Sequence, residues 1–282
     1  MYTPFRRWFT LSGQKYICSF LNFANSVTFP PYSASNLHTH EMCEIFCVFR
    51  GDGYYITEGS MHKFEHGKIF LMRSGEMHKP YLTNREPYER IALHFDASIV
   101  DGIDPERKLL SPFFDRPLGK NNVYNRSIVA STGIYDSFIK MGNLSDSNAS
   151  NDLHVAVLLF SVLSELKQLF DAKLYDEPNS NTATMQAVVE YINQNLSNTL
   201  SVDSICEKFF LSRGQLNRNF KKTTGSTVWD YITIKRLMLA KAYMEDGMSA
   251  GDAAIACGYG DYSSFFRAYL KKYGTTPTGQ VR

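Results

Sequence analysis

The amino-acid sequence predicts an α+β protein of two domains, in which a β-barrel with a helical extension precedes an all-α domain. Short apolar strand patterns, separated by frequent turn signals, occupy residues 16–95 and are typical of an all-β barrel or sandwich. After Asp96, apolar residues recur at helical spacing. A polar, proline-containing stretch at 176–183 has the composition of an interdomain linker. We therefore expect domains at 1–175 and 184–282.

The strand pattern is clearest in two apolar runs, Glu44–Phe49 and Lys68–Met72. Glycines that typically occupy turns flank these runs, at Gly51, Gly53 and Gly75. Because the runs are short and bounded by turns, they predict buried strands rather than helices.

Two helical patterns follow the strands. One runs through Ile128, Ile134, Phe138 and Ile139, and it ends at a polar break over 142–151. In the next, an apolar seam formed by Leu159, Leu163, Leu166 and Phe170 steps by four, three and four residues. The seam leaves two alternatives open: the helix packs on its own barrel and on a twin subunit, or it only covers the barrel.

Composition excludes several classes of protein. Hydrophobic residues make up 44% of the 282 residues and charged residues 21%, which is a globular composition. No uninterrupted apolar run reaches the roughly 20 residues of a membrane span, and the amino terminus lacks the pattern of an export signal. Five cysteines without a C-x-x-C pair suit reduced thiols, and Cys43 and Cys47 are expected to fill the core. We expect a cytoplasmic protein with no membrane contact.

Charge is unevenly distributed along the chain. The whole sequence carries a net charge of +2, whereas residues 184–282 hold 12 basic against 8 acidic residues and carry +4. A basic carboxyl-terminal module can bind an anionic partner such as DNA, because neutralising phosphates supplies the sequence-independent part of the affinity.

The carboxyl-terminal region contains a first helix-turn-helix pattern, which needs a scaffold helix, a tight turn and a second helix that enters the major groove. Residues 202–209 supply the scaffold, and Ser212 begins the second helix with Gln215 three residues later, the pattern of a capping box. Leu216 and Phe220 share the buried face. The side chains left to contact DNA are Arg213, Gln215, Asn217, Arg218, Lys221 and Lys222.

A second unit repeats this plan some fifty residues later. Residues 251–257 form the scaffold, 258–260 the turn, and a helix begins near Asp261 or Ser263, with Phe265 and Tyr269 on its buried face. Its predicted DNA contacts are Tyr262, Ser263, Ser264, Arg267, Lys271 and Lys272. Between the units, a long helix at 229–245 is expected to turn Trp229, Ile232, Leu237, Ala240 and Met244 inward. Such a connector would let both units enter successive major grooves, about 34–36 Å apart.

Residues 200–282 resemble the DNA-binding domain of the AraC/XylS family of bacterial regulators. The resemblance is strongest at Ala254-Ile-Ala-Cys-Gly258-Tyr259 and continues through Phe265, Arg267, Tyr269, Lys271, Gly274 and Pro277. Cys206 and Phe210 depart from the pattern, since the family usually has alanine and glycine there. The resemblance implies a homodimeric regulator, commonly an activator, that binds promoter DNA, RNA polymerase and a small-molecule effector.

In the first half, the most chemically suggestive pattern is His38-Thr-His40-Glu-Met-Cys-Glu44 followed by Gly75-Glu-Met-His78. It resembles the two cupin motifs, with Arg73 where the second motif commonly has proline. In metal-binding cupins three histidines and a glutamate hold one divalent ion, and His38, His40, Glu44 and His78 occupy those positions. Histidines two residues apart on a strand project to the same face, and mixed imidazole and carboxylate ligands suit iron, manganese, nickel or zinc.

Several readings of the cupin-like domain remain open at this point. The four residues bind a divalent metal, or they hydrogen-bond a small polar effector without metal, as regulators of the resembled family commonly do. Carbohydrate is the leading effector class by that resemblance, and Tyr54 and Tyr81 are further candidates because aromatic rings stack on sugars. A metal-dependent cupin enzyme with an appended nucleic-acid-binding domain is the alternative function, but it does not explain two DNA-reading units. We expect a regulator with no enzymatic activity and no obligatory cofactor.

Overall fold

The computed structural model describes residues 8–11, 14–22, 37–84, 88–144, 149–176 and 183–279. The chain divides into two compact units, here called the first unit (Met1–Ser180) and the second unit (Asn181–Arg282). Most of the predicted linker, residues 177–182, lies outside the described residues. The amino-terminal residues 1–7, where no export signal was expected, also lie outside them.

The described part of the first unit is built on antiparallel β-strands. Their bounds are β1 Trp8–Leu11, β2 Gln14–Asn22, β3 Cys43–Arg50, β4 Gly53–Thr57, β5 Ser60–Lys63, β6 Lys68–Met72, β7 His78–Leu82, β8 Glu89–Phe95 and β9 Val123–Tyr124. They form two sheets, one in the order β1-β2-β8-β3-β6-β9 and the other in the order β5-β4-β7. The predicted strand-rich domain is present, but over the described residues the two sheets do not join into the closed barrel that we expected.

In β3, β6 and β8 of the six-stranded sheet both faces are largely buried, and each face packs against a different layer. Ile45 and Cys47 of β3 belong to a core shared with the helices of this unit. Glu44, Phe46 and Val48 alternate with them and face the three-stranded sheet; we call this side the inner face. Tyr55 of β4 closes on it, with its ring centroid 4.5 Å from that of Phe46. Cys43 and Cys47 are fully buried, as expected of core residues, and burial raises the pKa of the Cys43 thiol to about 12.

Short helical segments and one long helix cover the other face. Their bounds are α1 Ser111–Phe114, α2 Arg126–Val129, α3 Ile134–Asn143 and α4 Ala149–Asp171, with 3-10 turns at Ala97–Val100 and Lys108–Leu110. Leu159, Leu163 and Leu166 of α4 are fully buried in the core of this unit. The predicted seam therefore packs on the domain's own sheet. Burial of each leucine contributes roughly 1.5–3 kcal/mol.

The segment Asn151–Asp171 of α4 is long and apolar enough to cross a membrane by length and composition. Its contacts are those of a core helix, because Leu159, Val162 and Leu163 bury their side chains against the strands. Its opposite face nevertheless exposes two large apolar side chains, Leu153 at 55% and Val157 at 56%.

A fully buried ion pair fixes the turn between β6 and β7. Arg116 donates two hydrogen bonds to the Glu76 carboxylate, of 2.8 Å to Oε1 and 2.7 Å to Oε2, and neither side chain is exposed. The carboxylate also accepts from the backbone N–H groups of Arg73 (3.0 Å) and Gly119 (2.7 Å). Burial by itself raises the pKa of Glu76, but the Arg116 charge and these hydrogen bonds outweigh it and leave that pKa below its ordinary value. A proline at position 73, common in the cupin motif, would lack the N–H that binds Glu76.

The second unit is all-helical over its described residues. Its helices are α5 Ala183–Gln194, α6 Val202–Phe209, α7 Arg213–Thr224, α8 Val228–Glu245, α9 Ala250–Ala256 and α10 Tyr262–Tyr273. The predicted helix starting near Asp261 or Ser263 begins at Tyr262, with Asp261 as its N-cap. Each helix of the two predicted units is therefore present within one or two residues of its expected ends.

The connector helix α8 confirms most of its predicted inward face and corrects one residue. Ile232, Leu237 and Ala240 are buried, but Trp229 is 56% exposed and lines a surface cleft in this unit. Trp229 lies in the first turn of α8 between the buried residues Val228 and Tyr231, so the helix is already packed there and Trp229 falls on its outer side. Arg236 fastens α8 to the loop between α5 and α6, donating to the carbonyls of Leu196 (2.9 Å) and Asn198 (2.7 Å).

We predict that Arg116→Met lowers the free energy of unfolding of the first unit by about 3–5 kcal/mol, because it leaves the Glu76 carboxylate buried without its counter-charge. Arg107→Met is the matched control: the Arg107–Asp101 pair in the same unit is about half exposed on both sides, and its loss should cost roughly 0–1 kcal/mol. Hydrogen exchange of the β6 amides in the full chain measures both effects. Equal protection in the two variants would show that the buried pair does not hold the turn.

Candidate functional site

Four polar residues meet on the inner face of the first unit, where β3, β7 and β8 approach one another. Glu44 lies on β3 and His94 on β8, at directly opposed positions of the antiparallel pair. His78 begins β7 of the other sheet, and His40 lies in the loop that leads into β3. We call His40, Glu44, His78 and His94 the histidine–glutamate cluster.

One oxygen of Glu44 is the centre of this cluster. Its Oε2 lies 3.0 Å from Nε2 of His40, 3.0 Å from Nε2 of His78 and 3.4 Å from Nε2 of His94. Glu44 and His78 have side-chain exposures of only 5% and 1%. Three imidazoles therefore point the same ring nitrogen at a single, nearly desolvated carboxylate oxygen.

The backbone fixes the orientation of two of these rings. Nδ1 of His40 lies 2.8 Å from the carbonyl oxygen of Met42, and Nδ1 of His78 lies 2.8 Å from that of Glu76. A carbonyl only accepts hydrogen bonds, so both Nδ1 atoms carry hydrogen. In a neutral imidazole with hydrogen on Nδ1, the Nε2 atom has no hydrogen and carries only a lone pair. Here that lone pair would face a carboxylate oxygen, which also carries only lone pairs.

A hydrogen or a cation is therefore required between these groups. Burial by itself raises the pKa of Glu44, but the charge of His94 and the hydrogen bonds from His40, His78 and His94 outweigh it and leave that pKa well below its ordinary value. The carboxylate is thus ionised at neutral pH. Either a second proton on the rings or a bound cation resolves the contact between lone pairs.

The cluster also passes a geometric test for a divalent metal ion. The ligand atoms of His40, Glu44 and His94 all lie within 4.8 Å of one another. Two ligands at 2.0–2.2 Å from one ion and at tetrahedral angles lie about 3.4 Å apart, close to the measured 3.0–3.4 Å. Imidazole rings whose other nitrogen donates to a backbone carbonyl are the usual protein ligands of such ions.

The structure brings together three of the six residues predicted for this site. His38 belongs to its edge: its backbone pairs with that of His78 in both directions, and its ring packs edge-on against the His78 ring with centroids 4.5 Å apart. Tyr54 of β4 pairs with Tyr81 of β7, and the next pair along these strands is Tyr55 with Pro80. Because strand side chains alternate between faces, Tyr54 and Tyr81 lie on the face opposite to His78, and their prediction as part of this site is corrected.

Sequence reasoning missed His94. The run Arg90-Ile-Ala-Leu-His94-Phe alternates apolar and other residues, which places Arg90 and His94 on one face, but only the register of β3 with β8 sets His94 opposite Glu44. Tyr55 stacks on the His78 ring, with a centroid distance of 6.2 Å and planes 10° apart. Arg90, 9% exposed, lies over the ring of Phe46 farther along the same inner face.

The second unit presents two recognition helices, α7 and α10, each fixed at its start by a side-chain cap. The Ser212 hydroxyl accepts from the N–H of Gln215, and the Gln215 carboxamide oxygen accepts from the N–H of Ser212, so the predicted capping box is present. Asp261 caps α10 by accepting from the N–H and hydroxyl of Ser264. In both helices the fourth and eighth residues fill the core: Leu216 with Phe220 in α7, and Phe265 with Tyr269 in α10.

The predicted DNA-contacting side chains are almost all exposed. Those classed as exposed are Arg213, Gln215, Asn217, Arg218, Lys221, Lys222, Tyr262, Ser263, Arg267, Lys271 and Lys272, and Ser264 is half-buried. Three of them already bind within the protein: Arg213 pairs with Asp203, Gln215 belongs to the capping box, and Ser264 binds Asp261. Arg218 and Arg267 occupy the same position, two residues before Phe220 and Tyr269.

Both scaffold helices end in the same type of turn, although the residues that form it differ. Tyr259 N–H donates to the Ala254 carbonyl and Gly258 N–H to that of Ile255, the two bonds of a Schellman motif. After α6, Leu211 N–H donates to Cys206 and Phe210 N–H to Glu207 in the same way. Phe210 adopts the left-handed conformation at φ 53° with its ring 96% exposed. The unusual residues Cys206 and Phe210 thus leave the geometry of the first turn intact.

Two family models match the chain. Residues 26–163 match the AraC-like ligand binding domain, and residues 205–281 match a helix-turn-helix domain. Together the two models cover about three quarters of the sequence. Each of the two units therefore contains a match to a family model.

Curated relatives match along most of the chain. The HTH-type transcriptional activator RhaR of Mannheimia succiniciproducens is 23% identical over 256 residues, covering 88% of this chain and 87% of that protein. The HTH-type transcriptional activator RhaS of Klebsiella pneumoniae is 24% identical over 254 residues, with the same coverage. Among solved structures, ToxT from Vibrio cholerae is 12% identical with a TM-score of 0.37 and covers 93% of this chain and 96% of its own.

We predict that Gly258→Ala destabilises the second unit more than Gly274→Ala does. Both glycines have left-handed φ values, +81° and +72°, which cost an alanine roughly 1–2 kcal/mol. At 258 a Cβ would also lie 2.7 Å from the Leu196 carbonyl oxygen and 2.8 Å from Nη2 of Arg236, adding about 1–3 kcal/mol, whereas at 274 nothing lies within 4 Å.

The two variants are compared by denaturant unfolding of the full chain, followed by the fluorescence of Trp229 in a Trp8→Phe background. Equal midpoints would mean that the loop around Leu196 yields and that Gly258 is needed only for its backbone conformation.

Proposed function

The chain belongs to the AraC/XylS family of transcription regulators, and from that membership we propose that it activates transcription at promoters to which its second unit binds. Its curated relatives carry the name transcriptional activator. The observation that carries the proposal is the pair of capped recognition helices, each of which exposes an arginine at the same position, Arg218 and Arg267. Arginine binds guanine bidentately in the major groove, with about 1–3 kcal/mol of discrimination per contact.

The first unit is the proposed effector-binding domain. Its inner face carries the histidine–glutamate cluster and Arg90 between two sheets. Burying polar side chains in this way costs desolvation free energy, which the binding of a polar ligand can offset. A small polar effector fits this lining, and carbohydrate is the class that the family favours. Membership in a regulator family, together with two DNA-reading units, favours this function over the metal-dependent enzyme.

The proposed partners and location follow from the same membership. We propose that the active form is a homodimer in the cytoplasm and that it contacts RNA polymerase at the promoter. The exposed apolar side chains Leu153 and Val157 lie four residues apart on α4, so they form one stripe that a second copy of the chain would cover.

A divalent metal ion in the histidine–glutamate cluster is the second candidate. It is supported by the convergence of three Nε2 atoms on one carboxylate oxygen with two of the rings held by backbone carbonyls. His40, Glu44 and His94 would hold the ion, with the His78 ring beside them. The ion would supply positive charge that binds the hydroxyl or carboxylate oxygens of an effector.

We predict that Arg218→Ala and Arg267→Ala each weaken binding to the operator by about 1–3 kcal/mol without changing the melting temperature, because both side chains are exposed. The operator is first obtained by selecting genomic fragments on the full chain at two salt concentrations. Arg50→Ala, at an exposed arginine of the first unit, is the matched control and should bind normally. Selection of no shared motif, together with binding that disappears as salt rises, would reduce the second unit to a non-specific basic domain.

We predict that His78→Ala and His94→Ala abolish the change in operator affinity that the effector produces, while affinity in its absence stays within about two-fold of wild type, because both rings lie in the other unit. Operator binding is measured with and without each of a panel of neutral and acidic sugars. His66→Ala, at an exposed histidine outside the cluster, is the control.

Metal analysis of the same preparations separates the two candidates. About one divalent ion per chain in the wild type, lost in His94→Ala, supports the metal site. Metal-free protein that still responds to an effector shows that the cluster acts without a metal ion. Loss of operator binding by His78→Ala in the absence of any effector would contradict a separate sensing domain.

A further inference from the structure

The two recognition helices can be superposed residue by residue, because their buried side chains fall at the same spacing. Leu216 and Phe220 of α7 correspond to Phe265 and Tyr269 of α10, all four of them buried. The correspondence is a shift of 49 residues, and it pairs Arg218 with Arg267. Each outward position on one helix therefore has a known counterpart on the other.

At one pair of positions the two helices differ in kind. Asn217 of α7 corresponds to Phe266 of α10, and each lies about 100° around the helix from the first buried residue of its seam. Arg213 likewise corresponds to Tyr262. A polar pair on the first helix is thus replaced by an aromatic pair on the second.

The aromatic pair is built as a unit on the surface of α10. Tyr262 is 44% exposed and Phe266 is half-buried. Their ring centroids are 6.1 Å apart, and Tyr262 also packs on the buried Phe265 ring at 5.8 Å. Tyr262 therefore supports the Phe266 ring from the side of the helix start, which is the end of a recognition helix that reaches base edges.

The chemistry at the two positions selects different bases. An asparagine carboxamide pairs bidentately with the N6 and N7 atoms of adenine. A phenyl ring has no hydrogen-bonding group, and in the major groove it discriminates through contact with the 5-methyl group of thymine.

We infer that Phe266, supported by Tyr262, reads the 5-methyl group of a thymine in the DNA element bound by α10. The other element, bound by α7, is read at the corresponding position by hydrogen bonds from Asn217. This inference rests on the proposed function, and it makes the two halves of the operator chemically unlike although the two helices share one scaffold.

The test removes single methyl groups from the DNA. In the operator selected on the full chain, each thymine of both elements is replaced in turn by deoxyuridine, which keeps the base pair and deletes only the 5-methyl group. One thymine in the α10 element should lose about four-fold in affinity, the value of one buried methyl group. The same deoxyuridine should cause no further loss with the Phe266→Ala protein, whereas Asn217→Ala should leave the four-fold loss unchanged.

Two results overturn the inference while the proposed function stands: specific binding in which no thymine of the α10 element needs its methyl group, or a methyl effect that persists undiminished in Phe266→Ala. Because the deoxyuridine series is measured on wild-type protein, it decides the first point even if Phe266→Ala is poorly folded. Failure of the full chain to select any operator would instead overturn the proposed function, and the inference with it.

Discussion

The Glu44 carboxylate is held almost wholly out of water between two β-sheets, and a buried negative charge persists only where positive charge or hydrogen-bond donors surround it. That requirement organises the inner face of the first unit. His94 comes from the neighbouring strand, His78 from the opposing sheet and His40 from the loop, and each reaches the same oxygen. The turn that carries His78 depends in its own right on a second buried carboxylate, Glu76, which Arg116 neutralises and whose backbone carbonyl accepts from the His78 ring. Two buried charges, each compensated separately, thus determine where the ring nitrogens point.

The second unit follows a different principle, since its recognition helices are placed mainly by apolar packing and backbone turns. Leu216 with Phe220, and Phe265 with Tyr269, anchor the two helices in their cores, and matching Schellman turns set the angle at which each helix leaves its scaffold. Phe210 holds the first turn in a conformation that glycine adopts at less cost, and its exposed ring gains no burial in return. Arg236, bound to two loop carbonyls and lying against the place where Gly258 has no side chain, ties the connector to the second turn.

The sequence was sufficient for features that depend on local spacing. The helices of the second unit, the Ser212–Gln215 cap and the strand Lys68–Met72 all follow from patterns within a few residues. Features that depend on which strands pair were not predictable in the same way. His94 is fifty residues from Glu44 and meets it only through the register of β3 with β8; Tyr54 and Tyr81 were misplaced because one step along a strand reverses the face. The closed barrel was expected from the number of strand signals, whereas closure depends on long-range pairing that no local signal encodes.

The caps of the recognition helices limit how this protein can acquire new targets. Gln215 and Ser264 occupy the same position, three residues after the N-cap of their helix. The side chain of each is hydrogen-bonded to its N-cap residue. A substitution at either site would remove a capping hydrogen bond and destabilise the start of the helix. These positions are therefore poor places to change the DNA preference. A change of binding preference that keeps both caps intact has to use the other outward residues, such as Asn217 and Phe266. The two halves of the operator can therefore be altered one at a time, each through its own helix.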